Sequence, residues 1–214
     1  MCGRVIVSKT YEDMALYINQ NYSGSAFSAN IILPNYNIAP NQNLVTLIYA
    51  NKSYRAGLLK WGLKLNKAKP VINIRKESFY SKPYFKQLLN KQRCLILVDG
   101  FYEWKKEKEL AQPYRIYINN DLFALAGVWM KNGDHFTCSI ITTPANAKLE
   151  LIHPRMPVIF NPLESKKYLL ENNEEKLFSF LKTKEIELLD FYPVTTKVNS
   201  ALFTGEECIK PLTM

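Results

Sequence analysis

Residues 93–106, RCLILVDGFYEWKK, read as one continuous apolar strand passing into an aromatic stretch, and they limit what this chain can become. Three more strand-like segments follow at short intervals: PYRIYIN at 113–119, LFALAGVW at 122–129 and HFTCSIITT at 135–143. Asn-Asn-Asp and Asn-Gly-Asp separate them. Such residues tolerate the left-handed backbone that tight hairpin loops require. The spacing therefore predicts an antiparallel meander rather than βαβ units.

Upstream, GRVIVS at 3–8 reads as a first strand. Thr10, with Asp13 three residues on, predicts a capped helix to about Asn19. The Pro- and Asn-rich PNYNIAPNQ at 34–42 reads as a loop. NLVTLIYA at 43–50 and YRAGLLKW at 54–61 alternate and read as a paired hairpin. Helices are predicted at 79–91, with Pro83 in the first turn, and at 162–181, followed by a strand at 186–192. With no repeat, linker or low-complexity segment, residues 1–214 form one α+β, mostly antiparallel domain.

Hydrophobic residues make up 47% of the chain and aromatics 13%, which argues for a packed core and against disorder. No segment approaches the length of apolar sequence that spans a bilayer, and no secretory signal is seen. A cytoplasmic location, nucleoid-associated when bound to DNA, is expected, with no membrane partner. Cys2, Cys94, Cys138 and Cys208 form no CxxC pair, and only His135 and His153 accompany them. Reduced thiols are expected, with no metal and no cofactor. The net charge of +9 suits a polyanionic partner such as nucleic acid, or equally a lysine-rich soluble surface.

Several short motifs occur in order. They are Met1-Cys2-Gly3-Arg4, Tyr36-Asn37-Ile38-Ala39-Pro40, Trp61-Gly62-Leu63 and Asn73-Ile74-Arg75-Lys76-Glu77-Ser78. Arg93-Cys94-Leu95-Ile96 then leads into Asp99-Gly100-Phe101-Tyr102-Glu103-Trp104. Thr142-Thr143-Pro144-Ala145-Asn146, His153-Pro154-Arg155-Met156-Pro157-Val158 and Val198-Asn199 complete the set. From Cys2 to about Asn199 the chain resembles the SRAP family, abasic-site processing proteins first labelled SOS-response-associated peptidases. The resemblance implies a barrel-like core with flanking helices. It also implies a sensor that attaches covalently to abasic sites in single-stranded DNA, shielding the lesion as part of the DNA-damage response; a monomer is expected, since nothing in the sequence points to an oligomer. In that family the amino-terminal cysteine forms a thiazolidine with the deoxyribose aldehyde.

The chemistry of the residues can be followed independently. Once Met1 is removed, Cys2 offers an amine and a thiol with the spacing that closes a five-membered ring on an aldehyde. An α-amine, with a pKa of about 7.7–8.0, is partly neutral near physiological pH, and the thiol is expected to be partly ionised, helped by Arg4. Ring closure is intramolecular and so gains a large effective concentration. Glu103, between Tyr102 and Trp104, is expected to be partly buried, which would raise its pKa toward that of a working general acid–base. A salt bridge to the adjoining KKEKE run at 105–109 is the alternative.

His153 suits proton transfer near neutral pH; by resemblance it assists sugar ring opening, and Asn73 orients the opened sugar. His135 reads as a surface hairpin residue. Arg4, Arg75 and Arg155 are candidate phosphate contacts because each lies beside a catalytic candidate. Pro40 and Trp61 are expected to wedge against flanking bases, with core packing as the alternative for Trp61. Asn37, Trp104 and Thr142 complete the expected DNA-binding set. WGLKLNKAKPVIN at 61–73 departs from the family pattern, as does Pro154 beside the histidine. Two rival readings stand: a cysteine peptidase built from Cys2, His153 and Glu103, and a non-catalytic single-strand binding module.

Overall fold

The computed structural model describes residues 2–23, 30–65, 69–106 and 110–212. Its first half runs β1 (Arg4–Val7), α1 (Tyr11–Asn21), β2 (Asn35–Ile38), β3 (Asn43–Ala50), β4 (Ser53–Trp61), β5 (Asn73–Arg75), α2 (Ser78–Ser81) and α3 (Pro83–Lys91). There follow β6 (Arg93–Val98), β7 (Gly100–Lys105), β8 (Gln112–Ile118), β9 (Phe123–Asn132) and β10 (His135–Pro144). The last part comprises α4 (Ala147–Glu150), β11 (Arg155–Pro157), β12 (Ile159–Phe160), α5 (Pro162–Leu170), α6 (Glu174–Phe180) and β13 (Leu189–Pro193). Two 3-10 turns, Thr196–Asn199 and Glu206–Ile209, come after it.

One sheet orders its strands β13-β8-β7-β1-β2. In the other, β10, β4, β3, β6 and β9 lie side by side, and β9 pairs again with β10. These five strands therefore close on themselves, leaving that ring no open edge. The ring supplies much of the main core, including Val45, Leu95, Ile96, Leu125 and Ile140. A smaller core of Ile6, Tyr102, Val194, Val198 and Cys208 lies under the C-terminal segment. The α+β, mostly antiparallel, barrel-like fold with flanking helices is thus observed. β10 nonetheless pairs in parallel with both β4 and β5, which a meander alone would not produce. No helix among the described residues is long and apolar enough to cross a membrane.

Several local expectations are corrected. The run 93–106 is not one strand: it divides at Asp99 into β6 and β7, which lie in different sheets. Asp99 is fully buried, and its Oδ2 accepts hydrogen bonds from the amide of Ser8 at 2.7 Å and from its hydroxyl at 2.6 Å. Gly100 follows where backbones crowd, so that a Cβ there would stand 3.0 Å from the Ile116 carbonyl. An unbroken apolar run carries no periodic sign of a change of sheet.

Within the expected loop at 34–42, residues Asn35–Ile38 form edge strand β2 against β1. Its buried Asn37 donates through Nδ2 to the carbonyls of Val198, Ser200 and Phe203 at 3.1, 3.0 and 2.9 Å. Composition signalled a loop because those distant acceptors are invisible locally. The helix expected at 162–181 is two helices, with Asn173 capping the second by accepting from the Lys176 amide. Pro83 likewise starts α3 rather than sitting inside a longer helix, since the first helical position needs no N–H. The capping box of Thr10 and Asp13 starts α1, which runs on to Asn21, and the late strand begins at Leu189.

Gly127 in β9 is the tightest point of the ring. An added Cβ would stand 2.4 Å from Ile96 Cδ1, 2.9 Å from Cys94 Sγ and 3.0 Å from the Ser139 carbonyl. Gly127→Ala is expected to lower unfolding stability by about 1–3 kcal/mol through overpacking, measured by urea denaturation; an unchanged midpoint would refute the packing account.

Candidate active site

The amino-terminal segment enters the five-stranded sheet through β1, which runs antiparallel to β7 with Arg4 opposite Tyr102 and Val5 opposite Phe101. Continuing that register sets Gly3 opposite Glu103, which brings Cys2, one residue earlier, within reach of the Glu103 charge. The two residues thus meet because of strand pairing, although 101 positions separate them. Asn73 arrives from the other sheet as the first residue of β5, and its Nδ2 donates to the Cys2 carbonyl at 2.7 Å. Among the described residues, Asn73 Oδ1 is buried with no hydrogen-bond partner.

Burial dominates the electrostatics. Cys2 is fully buried, and its thiol is pushed well above the usual range by burial first and the nearby Glu103 charge second. The expected partial thiolate is therefore not found in this state, and the positive charge of the amino terminus only partly opposes the rise. Glu103 is 3% exposed; burial raises its carboxyl to about 7 against the same positive charge. His153, just before β11, is held below its ordinary pKa by burial and then by the amino terminus, so its neutral form prevails near pH 7. Its Nδ1 lies 3.0 Å from the Arg155 amide nitrogen and 3.1 Å from the Arg155 carbonyl oxygen. The neutral ring accepts from the former and the protonated ring donates to the latter, so either state has a backbone partner.

The four catalytic candidates, Cys2, Asn73, Glu103 and His153, are thus gathered around the amino terminus from both sheets. The eight expected DNA contacts divide. Arg75 is exposed, whereas Arg4, Pro40 and Trp104 are partly buried. Arg4 Nη2 donates to the Asn199 carbonyl at 3.0 Å, and Trp104 Nε1 donates to Asn199 Oδ1 at 2.7 Å. Trp61 is fully buried with its indole N–H donating to the Ile72 carbonyl at 2.9 Å, so core packing replaces the expected base wedge. Asn37 and Thr142 are also fully buried and have no surface to offer a strand. Arg155 is not an open phosphate contact either: Nη1 and Nη2 donate to the two carboxylate oxygens of Glu77 at 2.9 and 3.0 Å.

Two supporting residues carry no local signal of their role. Asn199 fixes Arg4 and Trp104 from the far end of the chain, and Glu77 covers Arg155. Both stood in quoted motifs, but only the folded chain brings them to their partners. Exposed His135 lies at the start of β10, away from this cluster. The expected loss of Met1, and residues 107–109 of the lysine-rich run, fall outside the described residues.

A family model described as "SOS response associated peptidase (SRAP)" matches residues 1–201. The chain belongs to the SRAP family. The SRAP chain is 35% identical to the abasic site processing protein YoqW of Bacillus subtilis (strain 168), over 98% of this chain and 99% of that one. It is 25% identical to the abasic site processing protein YedK of Escherichia coli (strain K12), over 99% and 100% of the two chains. In fold it matches a crystal structure of a protein from Bacteroides thetaiotaomicron with a TM-score of 0.82 at 21% identity, over 99% of this chain and 100% of that one.

Glu103 leaves a mark on stability. Between its ordinary 4.5 and about 7, the folded chain keeps a proton that the unfolded chain has released. Stability from this group is therefore present below the lower value and is lost as pH rises through the upper one. Glu103→Gln is expected to raise unfolding stability at pH 8 by up to about 3 kcal/mol and to leave it unchanged below about pH 4. Urea denaturation across pH would detect this, and equal stability of both chains at pH 8 would exclude a buried, destabilised carboxylate.

Proposed function

We propose that this SRAP chain captures abasic sites in single-stranded DNA as a covalent adduct on Cys2, after loss of Met1. The observation that carries this reading is the convergence of Asn73 and Glu103 on residue 2, the first through a hydrogen bond to its carbonyl and the second through its charge on the thiol, with His153 beside the chain's amino terminus. The relatives' names as abasic site processing proteins support it.

The open-chain sugar presents an aldehyde. The neutral Cys2 amine adds to its carbon, and loss of one water gives an imine. The thiol then adds across the C=N bond: sulfur bonds to the carbon and the proton goes to nitrogen, closing the five-membered ring. Glu103, with a pKa of about 7, suits it to take the amine proton and return one to the departing hydroxyl. Neutral His153 suits proton exchange with the sugar hydroxyl during ring opening. Asn73 Oδ1, a buried acceptor, suits a hydroxyl of the opened sugar. Arg75 and Arg4, beside Asn73 and Cys2, suit the flanking phosphates.

A cysteine peptidase would need a thiolate paired with an imidazolium. Here the thiol is raised and the histidine lowered, which argues against that rival.

The test is a denaturing gel with single-stranded DNA carrying one abasic site, alongside mass spectrometry of the amino terminus. A stable shifted band is expected from the wild type with Met1 absent and none from Cys2→Ser, which keeps the amine but lacks sulfur. Glu103→Gln is expected to slow adduct formation by about 10²–10⁴-fold. An equally stable band from Cys2→Ser, or no band from a wild type with free Cys2, would overturn the proposal.

A further inference from the structure

The end of β4 and the start of β10 run parallel, with Lys60 opposite Thr137 and Trp61 opposite Cys138. Trp61 and Cys138 turn into the main core. Successive residues of a strand face opposite sides, so Lys60, Thr137 and His135 share the other face. After Trp61 the chain leaves β10, with Gly62 at φ 121° and its amide donating to the Cys138 carbonyl at 2.8 Å. It folds back through a bridge between Leu63 and Val71, and Ile72 then accepts from the Ile140 amide at 3.0 Å. An added Cβ on Gly62 would stand 2.8 Å from Pro70 Cβ, so glycine is what lets the two arms of this excursion close up.

The excursion leaves a cavity of about 210 Å³ against β10, lined in part by Asn41, Lys60, Lys64, His135 and Thr137. None of the described residues lining it carries a carboxylate. Thr137 is 4% exposed, and its Oγ1 is buried with no hydrogen-bond partner among the described residues. Buried hydroxyls are ordinarily paired, because desolvation without a replacement bond is costly. An unmet hydroxyl, two ammonium groups and an imidazole call for a ligand that carries negative charge and accepts hydrogen bonds. A phosphate group does both.

The cavity contains none of Cys2, Asn73, Glu103 and His153. Thr137 lies three positions before Ile140, the residue opposite Asn73, which is about 10 Å along a strand. Lys64 also belongs to the 61–73 segment that departs from the family pattern.

We propose that this cavity is a phosphate-binding site distinct from the catalytic cluster, with Thr137 as its floor and Lys60 and Lys64 supplying the charge. Two sources offer that group: a free phosphate, or a backbone phosphate of a strand held at Cys2.

The experiment titrates inorganic phosphate against the whole chain and follows the unfolding midpoint, with chloride at equal ionic strength as the control. Phosphate is expected to raise the wild-type midpoint beyond chloride. Thr137→Val keeps the shape of the side chain without its hydroxyl. It is expected to hold or raise the midpoint in chloride, and to weaken phosphate binding by about tenfold. Lys60→Gln/Lys64→Gln is expected to lose the phosphate response, whereas Lys167→Gln, on the exposed surface of α5, retains it. Affinity of the same variants for undamaged single-stranded DNA separates the sources, and only this arm rests on the proposed function. Weaker strand binding by Thr137→Val, with or without a response to free phosphate, assigns the backbone phosphate. Unchanged strand binding with a lost phosphate response assigns a free phosphate.

A Thr137→Val chain that matches the wild type in both assays would overturn the proposal and leave the hydroxyl a packing defect. A loss from Lys167→Gln as large as that from the lysine pair would reduce the effect to net charge and overturn it as well.

Discussion

The buried carboxylate of Asp99 holds the arrangement together. Removing a carboxylate from water is costly unless hydrogen bonds replace the lost hydration. Here both polar groups of Ser8, at the end of the first strand, converge on one oxygen of Asp99. The same residue marks where the chain leaves the closed ring for the five-stranded sheet. One interaction thereby joins the start of the chain to the change of sheet, and the β1–β7 register follows. Cys2 meets Glu103 only because that register is kept. A slip of one residue would turn Glu103 to the other face.

The site is consequently a seam between the two sheets. One sheet brings the cysteine and the carboxylate, the other brings Asn73 and His153, and the C-terminal turn at Asn199 braces the arginine and tryptophan beside them. Burial at the seam performs the electrostatic tuning. It raises the acid and the thiol and lowers the histidine, in each case by disfavouring the charged form. Glu103 is thereby poised near neutral pH while His153 is kept neutral and the thiol protonated, a set that suits the proton transfers of the proposed condensation.

Much of this was legible in the chain. The hairpins were, because alternation and Asn/Gly turns are local properties: Asn51 and Lys52 join β3 to β4 with φ of 52° and 60°, the left-handed pair a two-residue loop needs. The helix start at Thr10 was, because capping is decided within four residues. What misled was equally physical. Trp61 and Arg155 are residue types suited to nucleic acid, yet one is consumed by the core and the other by Glu77. Asn37 looked like loop composition, and its three acceptors lie more than 160 residues away.

By itself the sequence determined the residue types that the chemistry requires, the family to which they point, and the local elements that short-range sterics and capping impose. Tertiary structure alone decided which of those residues meet. Strand register, sheet closure and the change of sheet at Asp99 are long-range pairings, and no local pattern encodes their partners. Protonation was decided there as well, because burial sets the affinity of Cys2, Glu103 and His153 for protons, and burial exists only once the sheets have packed.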